Sequence, residues 1–248
     1  MILPEEEQDL TLDLPRILCL HGGGVNARIF RQQSRGLIKQ LKPHFRLVFA
    51  DGPFFCKPGP GMVPVYEEHG PFRRWMRWLP EQPECDARTA AKRIDRQIKQ
   101  AMDEDDEQGA TGEWVGLLGF SQGAKIAASM LFMQQKRAEL LGANMAGTNF
   151  RFAVIMAGRA PLVTFDPQLV KSPGIADLAD ISVEFPEGGL VESATTYCGC
   201  RLFMSTGVRT RGCICTGGCW ISTVSQVVRA WSSGMAITGY HSSQRMLR

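Results

Sequence analysis

Two patterns of apolar and polar positions alternate along the first 160 residues. Short apolar runs bounded by Gly, Pro or polar residues read as buried strands. Longer stretches with an apolar residue every three or four positions read as helices. Arg16-Ile17-Leu18-Cys19-Leu20 is the first run, followed by helical spacing from Asn26 to Leu41 with Ile29, Phe30, Leu37, Ile38 and Leu41 on one face. A second strand, Phe45 to Ala50, ends at Asp51-Gly52-Pro53. Asp86 to Met102 carries Ala91, Ile94, Ile98 and Ala101 on one helical face. Val115 to Gly119 is another strand, then a helix runs from about Ala124 to Lys136, and Phe152 to Gly158 is a further strand. Strands alternating with helices predict an α/β fold, a mostly parallel sheet flanked by helices.

The stretches between are less regular. Residues 51–80 form a long loop, rich in Pro and Gly from Gly52 to Gly61, then carrying Tyr66, Phe72, Trp75 and Trp78. It leaves the carboxyl end of a strand, where α/β sheets bind ligands, so 54–78 is expected to wall the substrate pocket. His69 is a candidate for lining that pocket, and His44 reads as a loop residue. Asp103-Glu104-Asp105-Asp106-Glu107 reads as a solvated acidic loop rather than a metal site. Pro161 to Leu178 reads as loop and short helix. Beyond about 190 the apolar period degrades and no element is assigned.

Composition narrows the class. The chain has 248 residues, 44% hydrophobic and 21% charged, as expected of a soluble globular protein with one main domain. A net charge of +3 gives no reason to expect nucleic acid as a partner. No apolar run reaches membrane-spanning length. Met1 to Glu7 is acidic and lacks the basic start and apolar stretch of a secretion signal, so a cytoplasmic location is expected.

The averages conceal a break. All 25 acidic residues lie at or before Glu192, whereas 193–248 contain six Arg, no Lys, no Asp and no Glu. Five of the eight cysteines, Cys198, Cys200, Cys213, Cys215 and Cys219, also fall there.

The chemistry centres on Gly119-Phe120-Ser121-Gln122-Gly123. An apolar strand runs into it and a helix-prone stretch leaves it, the context of a Gly-x-Ser-x-Gly nucleophile elbow. The turn holds its serine in a strained backbone, and side chains at 119 and 123 would clash with the adjoining strand and helix. Ser121 is therefore the expected nucleophile of an acyl-transfer hydrolase. An oxyanion needs two backbone N–H donors. One is expected from Gln122. The other is expected from Gly23 or Gly24 in His21-Gly22-Gly23-Gly24, a pattern that supplies such a donor in esterases. His21 precedes Ser121, whereas the order in this fold is Ser, acid, His, so His21 reads as a residue shaping the loop. Downstream of Ser121 stand His241 and the acids Asp166, Asp177, Asp180, Glu184, Glu187 and Glu192, none at the end of a clear strand. No cofactor or metal is expected.

Leu18 to Phe30, with its His-Gly-Gly-Gly run, resembles the start of the fungal FSH-type serine hydrolases, and more closely the esterases and thioesterases of polyketide gene clusters such as those for lovastatin and citrinin. The resemblance continues through Phe45 to Pro53, Pro58-Gly59-Pro60, Gly70-Pro71-Phe72, Gly119 to Ala124 and Met156-Ala157-Gly158-Arg159-Ala160-Pro161, covering about residues 15–185 in order. It implies an α/β-hydrolase that cleaves an ester or a carrier-bound acyl thioester, with a polyketide synthase as candidate partner and Ser121 as nucleophile. The family's acid and base lie in motifs resembling His-x-His-Gly-x-x-Asp-Pro and Gly-His, and neither occurs here.

Two units follow: a hydrolase domain over 1–194 and an atypical segment over 195–248. The missing acids and lysines predict that this segment is encoded in a shifted frame, through a missed intron or an indel. Joining each codon's third base to the next two bases lets Phe203-Met204 give His or Tyr, Ser205-Thr206 His and Thr206-Gly207 Gly. Arg209-Thr210 can then give Asp, Thr210-Arg211 Pro, Ile237-Thr238 His and Thr238-Gly239 Arg, in the family's order, each being one of several options that the wobble base allows. The rival reading is a thiolate zinc site, which Cys-x-Cys spacing suits poorly. The function expected is a serine esterase or thioesterase. The alternatives are a general short-chain carboxylesterase and a catalytically inactive partner protein with the same fold.

Overall fold

The computed structural model describes residues 9–63, 65–158, 161–170 and 174–181, and the backbone of 201–205. In chain order the elements are β1 (Arg16–Leu20), α1 (Ala27–Gln33), α2 (Arg35–Leu41), β2 (Arg46–Ala50), β3 (Phe54–Phe55), β4 (Arg73–Arg74), α3 (Ala87–Glu107), β5 (Trp114–Phe120), α4 (Gln122–Leu141), β6 (Phe152–Met156), β7 (Leu162–Thr164), β8 (Ile175–Asp177) and β9 (Arg201–Ser205). The central sheet has the order β2-β1-β5-β6-β9, and each neighbouring pair is parallel.

The two-residue period of the strands separates two cores. Leu18 and Leu20 of β1 point to the face covered by α3 and α4, where Ile94, Ile98, Ile126 and Leu131 pack with Leu117 and Ile155. Ile17 and Cys19 point the other way, to Phe30, Leu41 and Phe45 on the side of α1 and α2. All five residues of β1 are buried, as expected of a parallel strand covered on both faces. The architecture is the α/β arrangement expected, helices on both faces of a parallel sheet.

Four local expectations change. The helix read over 26–41 is two helices, broken at Ser34, whose backbone turns out of the helical region before Arg35-Gly36. Gly36 makes the broken stretch a weak helix former. The acidic run 103–107 is not a loop but the last turn of α3. Asp105 in it is 4% exposed and accepts hydrogen bonds from Arg46 Nε at 2.8 Å and Arg16 Nη1 at 3.2 Å. Arg16 Nη1 also pairs with Asp106. The end of α3 is thus bound to the starts of β1 and β2. Among the described residues of 161–178 none is helical; β7 and β8 pair in parallel as a separate two-stranded sheet. Finally, β9 adds a strand beyond 190, beside β6.

The loop 51–80 is also more ordered than its composition implies. β3 and β4 form a short antiparallel pair, and a 3-10 turn covers Glu67–His69. Trp75 and Met76 lie in the main core at 0% and 1% exposure, and Val25, Ile29 and Phe72 form a smaller cluster joined by Tyr66.

Candidate active site

β1 and β5 are neighbours in register, Leu20 beside Gly119, so the loops leaving them emerge side by side. β2 lies on one side of β1 and β5 on the other, which makes their carboxyl ends a topological switch point. The glycine loop His21-Gly22-Gly23-Gly24 leaves β1 there, and Ser121 leaves β5.

Ser121 sits at φ 51° and ψ −112°, a left-handed conformation rare for a residue with a side chain. Two contacts over-determine it. Its N–H donates to the Met156 carbonyl at 2.8 Å, tying the turn to the end of β6. The flanking glycines allow α4 to start directly against the sheet. A β-carbon on Gly119 would lie 2.4 Å from the Gly123 carbonyl oxygen, and one on Gly123 would lie 2.1 Å from that of Leu20. Strain held by its surroundings is the pattern found at reactive residues. Ser121 is exposed, and its hydroxyl makes no hydrogen bond to a described residue.

The three candidate oxyanion amides differ. The Gly24 N–H donates to the Arg73 carbonyl at 2.9 Å and is thereby occupied. The N–H groups of Gly23 and Gln122 carry no hydrogen bond among the described residues, and Gln122 opens α4, whose N-terminal dipole favours negative charge. Gly22 brings the glycine loop to Ser121: a β-carbon there would stand 3.5 Å from the Ser121 β-carbon. Trp78 covers Gly23 on its other side, its ring 2.5 Å from where a β-carbon would be. Trp78 therefore packs on Gly23 itself, while Trp75 is a core residue that meets the glycine loop at His21.

His21 is fully buried and lies beneath the loop. Nδ1 donates to the Gly22 carbonyl at 2.6 Å and Nε2 accepts the Gly52 N–H at 2.8 Å. Its carbonyl accepts the Trp75 indole N–H at 2.8 Å. Burial pushes the imidazole pKa from 6.5 down to about 4, against the opposing pull of the Gly22 carbonyl and Asp51. A neutral ring with both nitrogens engaged shapes the loop and is not available as a base.

The downstream candidates fall into two groups. Asp166 accepts from the N–H groups of Gln168 and Leu169, Asp177 from that of Ala179, and Asp180 from that of Asp177. Each serves a local turn. Asp177 ends β8, but β8 is outside the central sheet. Glu184, Glu187, Glu192, His241 and the cysteines from Cys198 to Cys219 lie outside the described residues. His44 is a loop residue, and His69 ends the 3-10 turn, its ring edge-on to Tyr66 at 5.7 Å.

Residues 11–176 match the family model described as serine hydrolase (FSH1). The chain belongs to this serine hydrolase family. Among its relatives, the probable esterase tazC of Aspergillus terreus is 54% identical over 173 residues, 70% of this chain and 65% of tazC. Esterase claE of Penicillium crustosum is 53% identical over 69% of this chain and 65% of its own length. Esterase citA of Monascus ruber is 52% identical over 71% and 68%. The chain thus spans about two thirds of the length of these curated relatives. Among solved structures, the Bacillus cereus carboxylesterase is similar at 17% identity and a TM-score of 0.43, over 89% of this chain and 74% of that one. Zea mays acyl-protein thioesterase 2 is similar at 17% and 0.41, over 80% and 72%. Likeness at this level adds nothing to the topology above. No described helix is long and apolar enough to cross a membrane.

Proposed function

We propose that this protein is a serine esterase or thioesterase of secondary metabolism that acts in the cytoplasm. The observation that carries the reading is the exposed Ser121 at φ 51°, beside two backbone N–H groups with no acceptor among the described residues. In this reading Ser121 Oγ attacks the carbonyl carbon of an acyl ester or thioester. The developing oxyanion takes hydrogen bonds from the amides of Gln122 and Gly23. As it collapses, the acyl C–O or C–S bond breaks and the alcohol or thiol leaves with the proton that Ser121 gave up; water then hydrolyses the acyl-enzyme to the free acid and restores the Ser121 hydroxyl. Trp78, packed on Gly23, borders the site. The resemblance to polyketide-cluster enzymes, together with relatives named as esterases, supports a polyketide-type acyl group carried by a synthase. Hydrolysis rates on carrier-bound acyl thioesters and on short aryl esters separate this from a general carboxylesterase. The proposal expects the carrier-bound substrate to be preferred, and a preference for short aryl esters contradicts it.

A second reading, an inactive partner of the same fold, rests on one sequence observation: His241 is the only histidine after Ser121 and no acid follows Glu192. We infer that 195–248 is a segment apart from the hydrolase domain of 1–194, read in a shifted frame. Genomic sequence across codons 185–248 tests this. Stop codons in the alternative frame, or no His and Asp in it, refute the shift. An open frame encoding both, whose product is modified by a fluorophosphonate faster than this chain is, supports it.

A further inference from the structure

The two proposed oxyanion donors belong to different loops, and a hole works only if both converge on one point. A third segment joins them. Within residues 73–76, the Arg73 N–H donates to the Val25 carbonyl at 2.7 Å and the Arg73 carbonyl accepts the Gly24 N–H at 2.9 Å. The Trp75 indole holds the His21 carbonyl. On the elbow side, Gln122 Oε1 accepts the Trp75 N–H at 2.7 Å and the Met76 N–H at 3.2 Å, and Nε2 donates to the Met76 carbonyl at 2.9 Å. Gln122 is 8% exposed, so these bonds form with little competing water. Two residues further on, Trp78 rests on Gly23. Close packing of Gly123 on Leu20 fixes how near the two loops come. Within the glycine loop, His21 holds the Gly22 carbonyl and Gly59 the Gly24 carbonyl, while residues 73–78 hold the Gly24 N–H and cover Gly23, and Gln122 holds that segment to the elbow.

We propose that the Gln122 carboxamide is a positioning residue for acyl transfer, holding residues 75–78 to the elbow so that the Gly23 and Gln122 amides converge on one oxyanion. The residue directly after the nucleophile then has two tasks, its N–H in the hole and its side chain on the segment that aligns the other donor. This rests on the reading of Ser121 as nucleophile.

The test uses the full chain and three variants. Gln122→Met keeps the length and removes all three bonds. Gln122→Glu keeps both acceptor bonds and loses the donor to Met76. Leu41→Ala, in the core on the opposite face, controls for lost stability alone. Two quantities are read: amide exchange at Trp75 and Met76, and the second-order rate of fluorophosphonate modification of Ser121 in folded protein. In Gln122→Met, protection at 75 and 76 should fall and modification should slow about 100-fold, the scale of a displacement near 1 Å. Gln122→Glu should lose less, and Leu41→Ala should keep the wild-type rate. Wild-type rates in Gln122→Met overturn the proposal, as does equal slowing in Leu41→Ala. An unmodified wild type, with the amides still protected, refutes the nucleophile reading itself and the positioning role with it.

Discussion

Gly123 stands so close to Leu20 that a β-carbon added to it would lie 2.1 Å from the Leu20 carbonyl oxygen and 2.5 Å from that of His21. Both neighbours are backbone at the end of a fully buried strand, and neither can rotate away. Gly123→Ala is therefore expected to destabilise the protein by about 3 kcal/mol or to prevent folding, through overpacking that no rotamer relieves. Gly36 in α2 is the contrast, with nothing within 4 Å of an added β-carbon. Gly36→Ala should stabilise by about 0.5–1 kcal/mol. Urea unfolding of both variants checks the pair.

His21 makes stability depend on pH in a defined window. The unfolded imidazole titrates near 6.5 and the folded one near 4, so between these values the unfolded state binds more protons. Stability then rises with pH. The contribution is complete above about pH 6.5 and is lost as pH falls towards 4, about 3 kcal/mol in all. Unfolding free energies from pH 4.5 to 7.5 should show this slope, and His21→Asn should flatten it. Asp9, held down to about 2 by its bonds to Thr11 and Arg46, acts only below its ordinary value of 3.8 and leaves the window clear.

The strands and the elbow were legible because each is written in local sequence. A buried parallel strand is an unbroken apolar run, and Gly119 and Gly123 mark backbone that must approach backbone. Asp105 was not legible, because its partners Arg16 and Arg46 lie 89 and 59 residues away. A run of five acids looks solvated until two buried arginines are placed beside it. The choice between Gly23 and Gly24 could not be made from spacing either. It turns on one bond from Gly24 to Arg73, a residue in a loop whose composition predicts no order. Trp75 and Trp78 look alike in sequence, and only packing separates the core residue from the one at the site.

Removing the Asp105 carboxylate should leave two buried guanidinium groups without their shared partner. Asp105→Ala is expected to cost about 3–5 kcal/mol, the range for breaking a buried ion pair. Chemical denaturation measures it. The substitution lies at the opposite end of the strands from Ser121, so the reactivity of Ser121 in the folded fraction should not change.

Trp78 and Gly23 should be coupled. Gly23→Ala drives a methyl group into the Trp78 ring and shifts the proposed donor, slowing ester hydrolysis by about 10- to 100-fold. Trp78→Ala in the same chain removes the obstruction and should restore much of the rate. A double mutant no faster than Gly23→Ala would separate the two residues. Rates on a short aryl ester give all four corners of the cycle.

Covalent labelling tests the role of Ser121 as nucleophile most directly. The full chain is treated with a fluorophosphonate and the modified peptide is located by mass spectrometry. The account predicts one phosphonyl group per chain, on Ser121, and none in Ser121→Ala. An unmodified wild-type chain, or labelling that survives in Ser121→Ala, would contradict it.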